Sequence, residues 1–211
     1  MQQSWRQDAD KLTFITCVAN SKPVNTAVDE TQAGMVCHQE ENGQLEPGVE
    51  DVPDHMIGDV NLFLYDDDDD DEEEDIKNSD QDKSVNYVVG EVEIMVARKD
   101  FQGKGYGREI LLGFLWYIAK RYPGIMSEYH QANGGKRKES TIKYLRVKID
   151  AGNRRSLKLF ESVGFIKLSK KPNYFGELEL RLPWSRALTE DLEAAMRAIP
   201  REVTYKRTQE A

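Results

Sequence analysis

Cysteine and histidine are scarce in this sequence, and their scarcity excludes several kinds of site. The 211 residues contain two cysteines and three histidines. Cys17 and Cys37 are too few for a disulfide framework and neither lies in a Cys-x-x-Cys pair, so both are expected to be free thiols. His38, His55 and His130 are scattered, and no metal site is predicted.

Long apolar runs are also absent. No run approaches the roughly 20 residues that a membrane-spanning helix needs, so no membrane partner is expected. The first ten residues, MQQSWRQDAD, are polar and mixed in charge, unlike a signal peptide. We therefore expect a cytoplasmic protein, and its length fits one ordinary domain with extensions. The sequence does not indicate an oligomeric state.

Acidic and basic residues are unevenly distributed along the chain. The net charge is -9, but residues 1–97 carry -20 and residues 98–186 carry +12. Ten consecutive acidic residues, DDDDDDEEED, occupy positions 66–75, and their mutual repulsion predicts a solvated spacer. The basic part favours an anionic ligand, whether a nucleotide, a phosphorylated cofactor or nucleic acid.

Apolar periodicity predicts an α/β fold. Strands are predicted at 12–18, 56–65, 87–97 and 141–149, and FIKLSKK and FGELELRL predict a hairpin around PNY. Helices are predicted at the start of the chain (1–10), from Ile110 to Tyr122, at 154–163 with Gly164 as the cap, and in LTEDLEAAMRAI with Arg197 in its last turn. The remaining long segments, 19–54, 66–86 and 123–140, are predicted to be loops or insertions.

A glycine-rich stretch, QGKGYG at 102–107, joins the best predicted strand to the longest helix. It is not a Walker A loop, because Gly105 stands where that motif needs serine or threonine after lysine. It is not a dinucleotide fingerprint either, because Arg108 replaces the last glycine. A strand, a glycine turn and a helix N-terminus remain, and this geometry directs backbone N–H groups at an anion. The alternative is a plain tight turn.

The same stretch resembles the GCN5-related N-acetyltransferase (GNAT) superfamily, whose signature is Gln/Arg-x-x-Gly-x-Gly/Ala. Gln102, Gly105 and Gly107 match it in register. NRRSLKLFESVGF, at 153–165, is similar to the Asn-x-x-Ser/Ala helix of that family. The wider pattern SWRQDADKLTFI, IGDVNLFL, GEVEIMVA and ELELRL is similar to the N-acetyltransferase nine-like subfamily.

The resemblance implies a GNAT-like central mixed sheet with flanking helices, with the first strand and first helix of the family missing before Met1. It covers 1–182, which leaves 183–211 as a C-terminal helical extension. It also implies acetyl-CoA as cofactor, its pyrophosphate on the loop amides and its pantetheine arm along the preceding strand. The cofactor-binding residues it implies are Met95, Val96, Ala97, Gln102, Gly103, Lys104, Gly105, Tyr106, Gly107, Arg108, Asn153, Ser156 and Phe160.

Two carboxylates on the strand before the glycines are candidate general bases. Glu91 and Glu93 alternate with apolar residues and therefore share one face of the strand. GNAT enzymes transfer acetyl directly from the CoA thioester to a neutral amine, so the resemblance implies Glu93, or Glu91, as the base. The alternative is that both carboxylates face solvent or pair with Lys143 or Lys148. An α-amine titrates near 7.7–8.0 and a lysine near 10.4, so a protein or peptide N-terminal α-amine is the expected acceptor.

Position 160 departs from the family pattern. Many GNAT enzymes carry there a tyrosine that protonates the departing thiolate, and Phe160 cannot do so. A thiol with a pKa near 8.5 still gives a tolerable leaving group. The alternative function is a catalytically weak acetyl-CoA-binding or protein-interaction module. Nucleic acid is not an expected partner, because KRK at 136–138 lacks interleaved aromatic residues and a polyanionic cofactor accounts for the charge.

Overall fold

The computed structural model describes residues 8–18, 44–45, 48–49, 51–66, 86–133, 140–185 and 187–205. Three sequence predictions fall wholly or largely outside these ranges. They are the helix end at 1–10, the insertion at 19–54 and the acidic run at 66–75.

A mixed six-stranded sheet forms the centre of the described structure. The strands of the chain are β1 (Lys11–Cys17), β2 (Gln44–Leu45), β3 (Met56–Asp66), β4 (Asn86–Val96), β5 (Ser140–Asp150), β6 (Ile166–Lys167), β7 (Glu177–Pro183) and β8 (Thr204–Tyr205). The central sheet has the order β1-β3-β4-β5-β7-β6, and β2 and β8 form a separate parallel pair. In the central sheet β4 and β5 run parallel and the other neighbours run antiparallel, which confirms the predicted mixed sheet.

Three α-helices lie in the described residues, and they share one core with a single face of the sheet. They are α1 (Tyr106–Ala132), α2 (Arg154–Glu161) and α3 (Leu188–Ala195). None of the three has the length and apolarity that crossing a membrane requires. The core joins buried residues of the helices to alternate residues of the strands, among them Leu111, Leu115, Ile118, Leu157, Leu188, Leu192, Val60, Leu62, Val92, Leu145, Val147 and Leu180. We call the other side of the sheet the opposite face.

The long helix corrects one sequence prediction. We expected it to end at Tyr122 and to be followed by a loop, but α1 continues to Ala132 with Pro123 inside it. Proline removes one helical hydrogen bond and usually ends a helix. Here Met126 and Tyr129 continue the apolar stripe and are buried, so tertiary packing extends the helix past the proline.

The C-terminal helix is shorter than predicted. α3 ends at Ala195, so Arg197 lies beyond it instead of in its last turn. A different arginine, Arg108 of α1, donates from Nη1 to the Ala195 carbonyl at 3.3 Å. This bond places a cation at the C-terminal end of α3, where the helix dipole favours positive charge.

The sheet opens between its two parallel strands. β4 and β5 pair from Asn86 with Ser140 to Glu91 with Arg146, and the pairing stops there. Beyond that point β4 remains paired with β3 and β5 remains paired with β7. The last five residues of β4 (92–96) and the last four of β5 (147–150) therefore form the two walls of a slot.

Candidate active site

The end of the slot is closed by the connection between β4 and α1. A 3-10 turn, Lys99–Phe101, follows the strand. Arg98 stabilises this turn by donating hydrogen bonds from Nε and Nη2 to the Asp100 carboxylate at 3.2 and 2.6 Å. These bonds from Arg98 lower the pKa of Asp100. Gln102 Nε2 donates to the Val96 carbonyl at 2.8 Å, which fixes the glycines relative to the end of the strand.

The glycines after Gln102 adopt a conformation that other residues rarely take. Gly103 and Gly105 have φ angles of +74° and +94°, in the left-handed region that favours glycine. Gly107 is needed for a different reason. A Cβ there would lie 3.3 Å from Cδ2 of Leu159 on α2, so the start of α1 packs closely on the second helix.

The backbone amides of this loop form an anion-binding surface. Among the described residues, none of the N–H groups from Gly103 to Gly107 donates to a protein acceptor, whereas those of Arg108 and Glu109 bond to the Gly105 carbonyl. The first N–H groups of any helix lack intrahelical acceptors, and the dipole of the 27-residue α1 adds positive potential there. Five successive free amides at such a helix start fit a phosphate group.

The side chains of the loop have separate surroundings. Lys104 is exposed beside the free amides, whereas Arg108 is bonded to Ala195 as described above. The Tyr106 ring packs edge-on against Phe101, with 5.2 Å between the ring centroids. Among the described residues Lys104 makes no side-chain hydrogen bond or ion pair, although its charge also helps to lower the pKa of Asp100.

At the end of β4, backbone groups of Val96 and Ala97 are bonded within the protein, whereas the side chain of Met95 is exposed. The Val96 carbonyl is occupied by Gln102, and the Ala97 N–H donates to the Ile57 carbonyl at 2.8 Å. Met95 is 54% exposed and lies on the opposite face. The contacts of Met95, Val96 and Ala97 with a cofactor stay predictions.

Helix α2 borders the far wall of the slot, directly after β5. Asn153 is its N-cap, and its Oδ1 accepts a hydrogen bond from the Ser156 N–H at 3.2 Å. Phe160 is 2% exposed and packs edge-on against Phe165 in the core. The structure thus brings Asn153 and Ser156 together at the exposed helix start and places Phe160 inside the protein.

The two candidate bases lie on the opposite face, and their surroundings differ. Glu91 accepts a hydrogen bond from Arg146 Nε at 2.7 Å in a largely buried ion pair, instead of pairing with Lys143 or Lys148 as the sequence suggested. Glu93 has no ion pair or hydrogen bond among the described residues and lies two positions further on, where β4 has left β5. Of the two, Glu93 is the carboxylate beside the slot.

The pKa of Glu93 is raised. Partial loss of solvent contributes most, and the negative charges of Glu91 and Asp59 add to it. The side chain nevertheless remains exposed to solvent, and water screens these charges. A carboxylate with a raised pKa is a stronger base than an ordinary one, which suits proton abstraction from an ammonium group.

Sequence reasoning missed one polar residue of this group. Asn61 of β3 lies directly opposite Glu93 in the antiparallel pair and is 8% exposed. Its Nδ2 donates to Asp59 Oδ1 at 2.7 Å. The signal was present in the sequence, because DVNLFL places two polar residues on alternate positions of an apolar strand.

Comparison with known proteins identifies the family. The family described as "Acetyltransferase (GNAT) domain" matches residues 2–166. The N-acetyltransferase 9-like protein of Schizosaccharomyces pombe is 31% identical over 86% of this chain and 74% of its own length. The alpha/beta-tubulin-N-acetyltransferase 9 of Drosophila melanogaster is 29% identical over 93% of this chain and 72% of its own length.

The human alpha/beta-tubulin-N-acetyltransferase 9 is also similar, at 29% identity, and the chain spans 62% of its length. Among solved structures, a mutant form of the spermidine/spermine N-acetyltransferase SpeG from Vibrio cholerae has a TM-score of 0.37 at 16% identity, with 66% of each chain covered. The chain therefore belongs to the GNAT family of N-acetyltransferases, in its N-acetyltransferase 9-like group.

Proposed function

We propose that this chain uses acetyl-CoA to acetylate a primary amine of a protein or peptide, namely the N-terminal α-amine. The observation that carries the proposal is the slot between β4 and β5, which ends on five amides without acceptors. A polar chain with a diphosphate at one end fits this arrangement, because the slot walls offer extended backbone and the loop offers N–H donors.

The residues that would hold acetyl-CoA follow from this fit. The amides of Gly103 to Gly107, with exposed Lys104 beside them, would bind the diphosphate. The strand end at Met95, Val96 and Ala97 and the start of α2 would flank the pantetheine arm. The bound thioester supplies an acetyl group that an amine can attack directly.

The position and the raised pKa of Glu93 support an amine as the acetyl acceptor. It lies on the opposite face at the mouth of the slot, and its pKa is raised by loss of solvent and by the charges of Glu91 and Asp59. A neutral amine is the nucleophile, so a carboxylate that accepts its proton is needed most when the amine is charged. An α-amine, with a pKa near 7.7–8.0, is partly neutral near pH 7.5 and needs less help than a lysine near 10.4.

The relatives support a protein acceptor. Two of them bear the name alpha/beta-tubulin-N-acetyltransferase 9, in the fly and in the human. We therefore expect a polypeptide amine instead of a small polyamine.

Calorimetric titration of the full chain with acetyl-CoA tests the cofactor half. The chain is expected to bind, and Gly105→Glu is expected to abolish binding, because its carboxylate would occupy the anion surface and repel the diphosphate. Gly105→Ala is the matched control. It carries the same backbone strain at a φ of +94° without the charge, so it is expected to retain measurable affinity. Equal affinity of Gly105→Glu and the unchanged chain would refute the loop assignment.

Acetyl transfer to matched peptides tests the acceptor. One peptide carries a free α-amine and no lysine, and the other carries a blocked N-terminus and one lysine. Transfer to the first alone is expected. Cofactor binding without transfer to either peptide would identify a binding module instead of an enzyme, and transfer to lysine alone would refute the α-amine assignment.

A further inference from the structure

The carboxamide of Asn61 is held in one orientation. Its Nδ2 donates to Asp59 Oδ1 at 2.7 Å. The reversed amide would set Oδ1 against the Asp59 carboxylate, and two acceptors repel each other. The oxygen of Asn61 is therefore directed away from Asp59.

That oxygen lacks a donor. Asn61 Oδ1 is buried and accepts no hydrogen bond from any described group. Buried polar atoms are nearly always paired, so this acceptor is available to a donor that the other described residues do not supply.

The sheet register shows which groups lie beside Asn61 on the opposite face. Thr13 of β1 and Glu93 of β4 are its two direct cross-strand neighbours, and Phe63 follows it on β3. Directly opposite side chains in an antiparallel pair have Cβ atoms about 4.5–5.5 Å apart. Thr13 has a hydroxyl donor that makes no bond to Asn61 although nothing prevents it from donating in the present state, and Phe63 has no side-chain donor. A protonated Glu93 has one. Ionised Glu93 is an acceptor only, so its bond to Asn61 can form only after it takes a proton.

We propose that Asn61 Oδ1 accepts a hydrogen bond from the carboxyl group of Glu93 once Glu93 has taken a proton from the acceptor amine. This rests on the proposed function. In the step, an N–H bond of the ammonium breaks, an O–H bond of Glu93 forms, and the electron pair left on nitrogen becomes the nucleophile. The proton later passes to water. Asn61 touches neither substrate nor cofactor, so it is a positioning residue that acts through Glu93.

The surrounding charges fit this role. Glu91, Asp59 and Tyr65 lie on the same face as Glu93, and Arg146 of β5 is engaged by Glu91. Lys11 of β1, opposite Phe63, is bonded to Asp8 at 2.9 Å. Of the cations on this face, Arg146 and Lys11 are therefore already paired, whereas Lys148 of β5 is exposed and has no ion pair among the described residues. The charges that act on Glu93 are those of Glu91 and Asp59, and both favour its protonated form. Asn61 gives that form an acceptor.

Titration of Glu93 in the full chain tests the hydrogen bond directly, by carbon-detected NMR of the side-chain carboxyl group. Asn61→Ala is expected to lower the pKa of Glu93, because the protonated form loses its acceptor and water enters beside it. Thr13→Ala is the matched control, since it removes the neighbour on the other side of Asn61 and is expected to leave the titration unchanged. An unchanged Glu93 titration in Asn61→Ala, or an equal fall in both variants, would overturn the proposal.

In Asn61→Ala, the loss of the hydrogen bond and the entry of water would both lower the pKa of Glu93. A second measurement distinguishes these two effects by using Glu93→Gln, whose neutral amide mimics the protonated carboxyl group. The amide of that glutamine can donate to Asn61 Oδ1 without any proton transfer. The stabilisation that Glu93→Gln brings at neutral pH is expected to be larger with Asn61 present than in the Asn61→Ala background. Equal stabilisation in both backgrounds would overturn the proposal.

Kinetics connect the bond to catalysis. Asn61→Ala is expected to lower kcat about fivefold to tenfold with the KM for acetyl-CoA unchanged, and to cause no further loss in a Glu93→Gln background. Full activity of Glu93→Gln would refute Glu93 as the base, and with it the catalytic role of Asn61. The NMR titration needs neither acetyl-CoA nor turnover, so failure of the hydrogen bond and failure of the proposed function give different results.

Discussion

The two carboxylates of β4 have the same chemistry and lie on the same side of the strand, yet their environments differ. Glu91 is joined to Arg146 at 2.7 Å in a largely buried ion pair. Glu93 has a raised pKa and no ion-pair partner among the described residues. A carboxylate with a raised pKa and no ion-pair partner is a candidate general base.

Glu93→Gln is expected to lower kcat about 100-fold while leaving the affinity for acetyl-CoA unchanged, because the proposed general base is lost and the loop is not touched. Rates of the unchanged chain should fall as the pH falls through the raised pKa of Glu93, since only the carboxylate accepts a proton. Steady-state kinetics against pH measure both effects. If Glu91→Gln reproduces the loss and Glu93→Gln does not, the assignment is reversed.

The same substitution predicts a pH-dependent change in stability. The folded pKa of Glu93 lies above its ordinary value of 4.5, so ionising this group destabilises the folded chain at neutral pH. Glu93→Gln should therefore stabilise the chain at pH 7, by about 0.5 kcal/mol or less because the group is solvent-screened. The gain should vanish as the pH falls below 4.5. Urea unfolding at several pH values measures it, and a loss of stability at pH 7 would contradict the expected sign.

At the scale of secondary structure, α1 shows how packing overrides local sequence. Pro123 leaves the Ala119 carbonyl without its usual helical donor, and the helix nevertheless continues for nine residues to Ala132. Tyr122 stacks near Trp184, with 4.8 Å between ring centroids, and its hydroxyl lies 2.6 Å from Thr141 Oγ1. These contacts anchor the helix on both β5 and the segment after β7.

Pro123→Ala is expected to stabilise the chain by up to about 3 kcal/mol, because it restores a backbone hydrogen bond and removes a helix-breaking ring. Gly124→Ala is the control, since open space surrounds that position and only helix propensity changes, by about 1 kcal/mol. Denaturant unfolding compares the two. A smaller gain from Pro123→Ala than from Gly124→Ala would mean that the proline ring makes packing contacts worth more than the hydrogen bond.

Four strands of the central sheet were predictable from the sequence to within one residue at each end. Of the predicted strand FIKLSKK only Ile166–Lys167 forms β6, and β2, at Gln44–Leu45, lies in a segment predicted to be a loop. The alternation of apolar residues placed β1, β3, β4 and β5 correctly, because each has one face in the core and a side-chain period of two. The glycine loop and the start of α2 were also predictable, because each is defined by residues that follow one another closely in the sequence. The pattern DVNLFL indicated the face on which Asn61 lies, but neither its pairing with Glu93 nor the partner of Glu91 could be predicted. Both depend on pairing between separate strands, and the pairing of β4 with β5 is shifted by a bulge.

At the scale of the whole molecule, groups of opposite charge lie at different parts of the slot. Lys104 is exposed on the loop after β4. Asp59, Glu91 and Glu93 lie on the opposite face of the sheet. A polyanionic cofactor and a cationic amine would each meet charge of the opposite sign.

Salt is therefore expected to weaken acetyl-CoA binding several-fold between 50 and 500 mM NaCl, because screening shortens the range of the basic field to a few ångströms. Acetyl-pantetheine, which lacks the phosphates, is the matched control and should bind with little dependence on salt. Calorimetry at several salt concentrations measures both. Equal salt dependence for the two ligands would show that the phosphates do not meet the basic segment.

The slot and its loop are made of main chain, and this affects how the protein tolerates variation. Peptide groups are the same whatever side chain they carry, so most substitutions along Val92–Val96 or Val147–Asp150 alter the surroundings of the opening without removing its walls. In the loop, Gly105 is restricted by its positive φ, and on β4 the proposed base restricts position 93. The chain can therefore drift far in sequence and adapt to new acceptors while its opening persists.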